Sequence, residues 1–295
     1  GSKAAYQGER QRMKQVTVTV ETPAPQDDAL LLFPRPFEHW DQRFVGIETG
    51  GGTIPFELAA RNADQRAFAM RAASPGPLTI RYDIAERDGP APPSVWQVQD
   101  NRLTRADDGL VALAQEIAGA AKSEQAALHA LMAYAGDLFG YDHPDERFYD
   151  GLDSVPAVCG TTRGNCVDIN TFLLAAARSL GMRGQYIAGY WFHPDKTETL
   201  DMHCWLAFEA DGELLFWDLA HHLKWGVTPL APGLNPAGGR RVAMSHGRGL
   251  IFENGPVEIS HFSEPVWVLP GGRTVEPKIR AAIAENIGVP SALVE

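Results

Sequence analysis

Three side chains in this 295-residue sequence have the types and the chain order of a nucleophile, a base and a carboxylate: Cys166, His203 and Asp218. Cys166 follows Gly164 and Asn165, where a loop gives way to an apolar run of helical period. A thiol in the first turn of a helix meets the partial positive charge of unpaired backbone N–H groups, which favours the thiolate that attacks carbonyl carbon. Asn165 is a natural cap for such a helix. The same position also suits an inert, buried small hydrophobe, so Cys166 alone decides nothing.

His203 and Asp218 lie on two β runs, 202–208 and 214–219, joined by Glu209-Ala210-Asp211-Gly212-Glu213. Asp-Gly is the preferred centre of a two-residue turn, and such a turn pairs Ala210 with Glu213, Ala207 with Phe216 and Trp205 with Asp218. His203 and Asp218 are then diagonal neighbours on one face, about 7–8 Å apart at Cα. An imidazole and a carboxylate can bridge that gap, whereas a one-residue slip would send Asp218 to the other face. Taken singly, His203 reads as a satisfied strand histidine and Asp218 as an exposed carboxylate. With a thiol at a helix start they compose a cysteine nucleophile, its base and an orienting acid.

The stretch GNCVDINTFLLAAARSLGMRGQYIAGY, followed by MHCWLAF and LLFWDLA, resembles the core of the transglutaminase-like superfamily. The correspondence rests on Gly164 and Cys166 opening a helix, Arg178 and Gly181 near its end, Gly189-Tyr190 closing the next strand, His203 with Trp205, and Trp217 with Asp218. The resemblance implies an α/β (α+β) papain-like core, a helix-borne cysteine packed on an antiparallel sheet, with a Cys-His-Asp triad in that order. It also implies a bacterial, protease-like hydrolase that cleaves an amide of a peptide or protein substrate through a thioester, without a cofactor. Transglutaminase-type transfer to an amine shares every step up to the acyl-enzyme, and a catalytically silent binding module would keep the same fold. The N-terminal LLLFPRPFEHWDQRF resembles the β domain that precedes this core in bacterial relatives.

For the oxyanion, the backbone N–H of Cys166 is one donor, and Asn165, Tyr141 and Tyr149 are candidates for the second. Trp191 and Trp205 are read as packing residues or as walls of a substrate groove. No HExxH or calcium-loop spacing appears, so no metal site is expected, and His221, His222, His246 and His261 read as surface histidines. Gly50-Gly51-Gly52 lacks the residues of a phosphate cradle and reads as a loop. Cys204, next to His203 on a strand, should point away from it into the core.

These groups need elements to hold them. Apolar spacing predicts helices over 107–121, 123–139 and 166–180, the last stopped by Gly181. Short β runs at 16–20, 30–33, 43–48, 68–70 and 78–84 suggest an N-terminal sandwich, and a run at 185–192 precedes the hairpin. The proline-rich segment at 89–93 marks a boundary. The expected organisation is a tag or disordered arm over 1–13, a β-sandwich-like domain over 14–100, and a catalytic core over 101–295 with C-terminal strands and a helix begun by Pro277.

Composition bounds the rest. Hydrophobic residues are 44% and charged residues 21%, as in soluble globular chains. A net charge of -11 opposes attraction to nucleic acid or anionic lipid. No apolar run reaches the ~18 residues of a membrane span. The N-terminus shows no apolar leader, which points to a cytoplasmic protein, and Gly1-Ser2 reads as a cloning scar. Three cysteines without a CxxC pair suggest neither a disulfide framework nor a zinc site.

Overall fold

The computed structural model describes residues 12–97, 99–253 and 257–285. Side-chain oxygens of Asp107 and Ser123 accept from the N–H groups of Leu110 and Ala126, starting α1 (Asp108–Ala118) and α2 (Glu124–Leu138). α3 (Cys166–Ser179) is buried at every position from Cys166 to Ala177, as a helix at the centre of a core must be. It ends where Gly181 adopts φ +81°, with its N–H on Arg178 and that of Met182 on Ala177.

α3 packs on a four-stranded antiparallel sheet, ordered Glu213–Trp217, His203–Ala210, Arg183–Phe192, Arg240–His246. Leu128, Leu131 and Met132 of α2, Ile169, Phe172 and Leu173 of α3, and Tyr186, Leu206 and Phe208 of the sheet share one core. Each fully buried Leu or Phe there contributes about 1.5–3 kcal/mol.

The hairpin has the expected register. Asp211 and Gly212 both take positive φ, and pairing runs from Ala210 with Glu213 to Leu206 with Trp217. The strand stops at Trp217, however, and the chain turns into α4 (Leu219–Trp225) with Asp218 as its N-cap. The expected strand pair of Asp218 with Trp205 is therefore not made.

Two two-stranded pairs, Phe139–Tyr141 parallel to Thr162–Gly164 and Leu250–Phe252 antiparallel to Val257–Ile259, accompany two five-stranded antiparallel sheets. One runs Glu198–Thr199, Ile279–Glu285, Met13–Val20, Leu78–Glu86, Gln42–Gly50; the other runs Thr274–Val275, Val266–Val268, Leu30–Arg35, Arg66–Ala72, Gly52–Ala59. Their shared core, with Val16, Val18, Phe33, Ile80 and Tyr82, continues into Tyr190, Phe192, Val242 and Met244 of the α3-bearing sheet.

Two expectations change here. The helix expected after Pro277 is a strand, Ile279–Glu285, whose alanines pair residue for residue with Lys14–Val20. A ladder to an apolar partner strand outweighs the helical propensity of alanine. Strand pairing also crosses the boundary expected near residue 100: Val266–Val268, Thr274–Val275 and Ile279–Glu285 belong to the two sheets that hold the N-terminal strands. Gly288 and most of the expected arm, residues 1–11, lie outside the described residues. Met13, the last position of the expected arm, already belongs to a strand. No helix among the described residues is long and apolar enough to cross a membrane.

Gly189 shows why the sheet needs a glycine beside the site. It sits opposite His203 on one side and Ala243 on the other, at a register shift, and a Cβ there would collide with the Val242 carbonyl. That backbone cannot move without breaking the ladder. Gly189→Ala is expected to lower stability by about 1–3 kcal/mol, read as a lower urea midpoint; an unchanged midpoint would show that the strands part freely.

Candidate active site

The helix start is built first. Asn165 Oδ1 accepts from Val167 N–H at 2.9 Å, and Asp168 Oδ2 accepts from Asn165 N–H at 2.9 Å, a reciprocal capping box that fixes Cys166 in the first turn of α3. Asp168 is fully buried, with Arg147 Nη1 at 2.6 Å and the Tyr149 hydroxyl at 3.2 Å. Behind it Arg248 donates to Tyr149 at 3.0 Å and to Thr171 at 3.1 Å.

The hairpin then brings up the acid and the base. His203 Nε2 lies 2.9 Å from Asp218 Oδ2, and the Cys166 thiol is near enough to the His203 ring to shift its protonation. Since Nε2 is taken by Asp218, Nδ1 is the nitrogen left for the thiol. Asp218 is fully buried; its Oδ1 accepts from His221 N–H at 3.1 Å and its Oδ2 from Arg241 Nη2. His221 stacks on His203 with ring centroids 3.9 Å apart and planes at 16°.

Burial pushes the Asp218 carboxyl up, but Arg241, then His203 and His221, outweigh it and hold the group well below the usual carboxylate range. Burial pushes His203 down, yet Asp218 and Cys166 carry it above an ordinary histidine. Cys166 moves in the direction opposite to the expectation from its helix terminus: the neighbouring Cys204 thiol and burial raise it well above an ordinary cysteine, against the pull of His203. The resting pair is thus a thiol beside a basic imidazole.

Cys166, Asn165, Tyr141, Trp191, His203 and His221 line a cleft of about 280 Å³. Asp201, Glu264 and Glu276 form part of its wall, and burial with the two neighbouring carboxylates pushes Glu264 up to about 8.

Against this geometry, a family model described as the transglutaminase-like superfamily matches residues 111–217. Residues 111–217 are thus similar to the core of that superfamily. Among solved structures the chain resembles a candidate cysteine protease from Cytophaga hutchinsonii at TM-score 0.55 and 10% identity, over 93% of this chain and 91% of that one. The periplasmic domain of TgpA from Pseudomonas aeruginosa aligns at TM-score 0.36 and 16% identity, over 72% and 88% of the two chains. No curated protein matches the sequence. The first likeness shows a shared fold. The TgpA domain is periplasmic, and the expectation of a cytoplasmic location for this chain is withdrawn.

The transglutaminase-like core brings together Cys166, His203 and Asp218. Tyr141 enters the cleft beside Gly164, its strand partner, and burial keeps its hydroxyl protonated. Asn165 also faces the cleft, but its amide oxygen is spent on the helix cap. Tyr149 is withdrawn, with its hydroxyl bonded between Asp168 and Arg248. Trp191 stands at the cleft wall, edge-on to His221 at 4.5 Å. Trp205 is buried under His203 and beneath the Arg241 guanidinium, 4.9 Å from its ring centre, and is a packing residue.

The expectation of surface histidines fails for His221 and His222, both buried on α4, and for His246, which is 1% exposed. Arg241 and His221 are the site residues that sequence reasoning missed; Asp218 as a helix cap before Leu219 was the signal for His221, and nothing local marks Arg241. His203, Asp218 and His221 could by spacing surround a cation, but the Arg241 guanidinium already sits on Asp218.

Cys204 lies beneath α3 as expected, with Asn170 Nδ2 3.4 Å from its sulfur. Its thiol is the largest influence raising Cys166. Cys204→Ala is expected to lower the apparent pKa of Cys166, measured as the midpoint of the pH dependence of iodoacetamide alkylation. A midpoint that stays or rises would remove Cys204 from the electrostatics of the site.

Proposed function

We propose that this chain is a cysteine-dependent hydrolase of an amide bond in a peptide or protein, working through a thioester. The observation that carries this reading is the meeting of Cys166, His203 and Asp218 at one cleft. The Cys166 sulfur attacks the amide carbonyl while its proton passes to His203 Nδ1, and Asp218 stabilises the imidazolium through Nε2. The oxyanion lies against the first-turn N–H of Cys166, with the Tyr141 hydroxyl in the same cleft as the second donor. Collapse breaks the C–N bond, and the leaving amine takes the proton from His203. Water then loses a proton to His203 as it attacks the thioester, releasing the acid and the thiol.

Alkylation by iodoacetamide, mapped to each cysteine, tests the pair. His203→Ala is expected to slow Cys166 by about 10²-fold, and Asp218→Asn to lower turnover by about 10²–10⁴-fold. Equal alkylation of Cys166 in parent and His203→Ala would sink the catalytic pair. Product analysis separates hydrolysis from acyl transfer: free acid should form without added amine, and product that depends on an amine would overturn hydrolysis.

A further inference from the structure

We propose that Arg241 is a positioning residue that decides which of two stacked imidazoles, His203 or His221, carries the catalytic proton; this deepens the hydrolase reading above and rests on it. Asp218 Oδ2 lies 2.9 Å from His203 Nε2 and 3.1 Å from His221 Nδ1. One carboxylate oxygen therefore faces two rings whose centroids are 3.9 Å apart. Two stacked imidazolium ions at that spacing repel, so one proton is shared by two candidate sites.

Arg241 breaks the tie. Its Nη2 bonds Asp218 Oδ2 and also lies 3.3 Å from His221 Nδ1. A guanidinium only donates and stays charged, so His221 Nδ1 accepts and the His221 proton resides on Nε2. A second proton on His221 would have to enter at the nitrogen that faces a cation. His203 meets no such block: Asp218 holds its Nε2, and its other nitrogen is free for the thiol of Cys166.

The other charged groups around the pair act the same way. His203 faces Cys166 from α3, Asp218 and His221 from α4, and Arg241. His221 faces Asp218, Lys224 of its own helix and Arg241, with the uncharged Trp191 edge-on at 4.5 Å. Burial, His203, Arg241 and Lys224 press His221 down to about 2, against Asp218. Arg241 is itself held, with Nε on Asn235 Oδ1 at 2.8 Å and its guanidinium over the face of Trp205. That placement makes it a fixed charge.

The test is titration of the full chain labelled with ¹⁵N-histidine, followed by nitrogen chemical shifts, in parent, Arg241→Gln and Arg241→Lys. In the parent, His203 should titrate while His221 stays neutral as the Nε2–H form between about pH 4 and 9. In Arg241→Gln, His221 should lose that fixed form and gain a proton within the same range. The acid limb of kcat/KM should move up, because removing the cation raises His203, which must be neutral to take the thiol proton, and kcat should fall about tenfold or more with KM little changed. Arg241→Lys should return His221 to its neutral form and the limb toward its parental place.

An His221 that titrates in the parent overturns the proposal whether or not the variants fold. So does an Arg241→Gln protein whose His221 form and pH limb are unmoved while only its melting temperature falls. Absence of hydrolysis in a parent with the expected histidine forms would instead sink the hydrolase reading, since the titration needs no turnover.

Discussion

A carboxylate with no exposed surface must be surrounded by donors, and Asp218 is where this molecule meets that demand. Stripping a carboxylate of water costs several kcal/mol in a real protein unless charge partners and hydrogen bonds replace it. Asp218 recovers that cost from three directions: His203, Arg241 and the His221 backbone N–H. Each comes from a different part of the chain's path. The hairpin must end at Trp217, α4 must begin at Leu219, and the Arg240–His246 strand must lie beside the Gly189 strand. Much of the local architecture is thereby tied to one residue.

The same device appears on the other side of the nucleophile. Asp168 is equally buried, takes Arg147 at 2.6 Å, and spends its second oxygen on the backbone of Asn165. It anchors the helix that carries the thiol, as Asp218 anchors the ring that serves it. The two halves are locked separately and meet at Cys166 and His203. Such a meeting between two rigid supports keeps the reacting atoms in place without requiring them to bond strongly to each other.

How much of this could be read from the sequence follows from the range of each interaction. The hairpin register was legible because Asp211-Gly212 is a local signal, and so were α1 to α3, whose caps and apolar spacing are local too. The turn of the chain at Asp218 was not, because a seven-residue helix is too short to show a period, and LAHHLKW continues an apolar run that reads as strand. His221 was lost with it. Arg241 lies 23 residues beyond Asp218, and only the pairing of its strand with Arg183–Phe192 brings it to the carboxylate. The C-terminal strand was misread for a related reason: its alanines favour a helix locally, and its strand state depends on a partner at the other end of the sequence.

The charges at the site explain why a raised thiol is compatible with nucleophilic work. Asp218 and Arg241 neutralise each other within one buried contact, so the pair offers His203 an acceptor without a full negative charge. Asp218 still favours the imidazolium at His203, and on the proposed reading a second negative centre beside it, the sulfur or the oxyanion, favours it further. Cys204 and burial disfavour a standing thiolate, which protects an unoccupied site from stray electrophiles. On the proposed hydrolase reading, ionisation is coupled to attack: the proton leaves Cys166 when a carbonyl is there to receive the electron pair, and the ring that takes it is already held by a buried carboxylate.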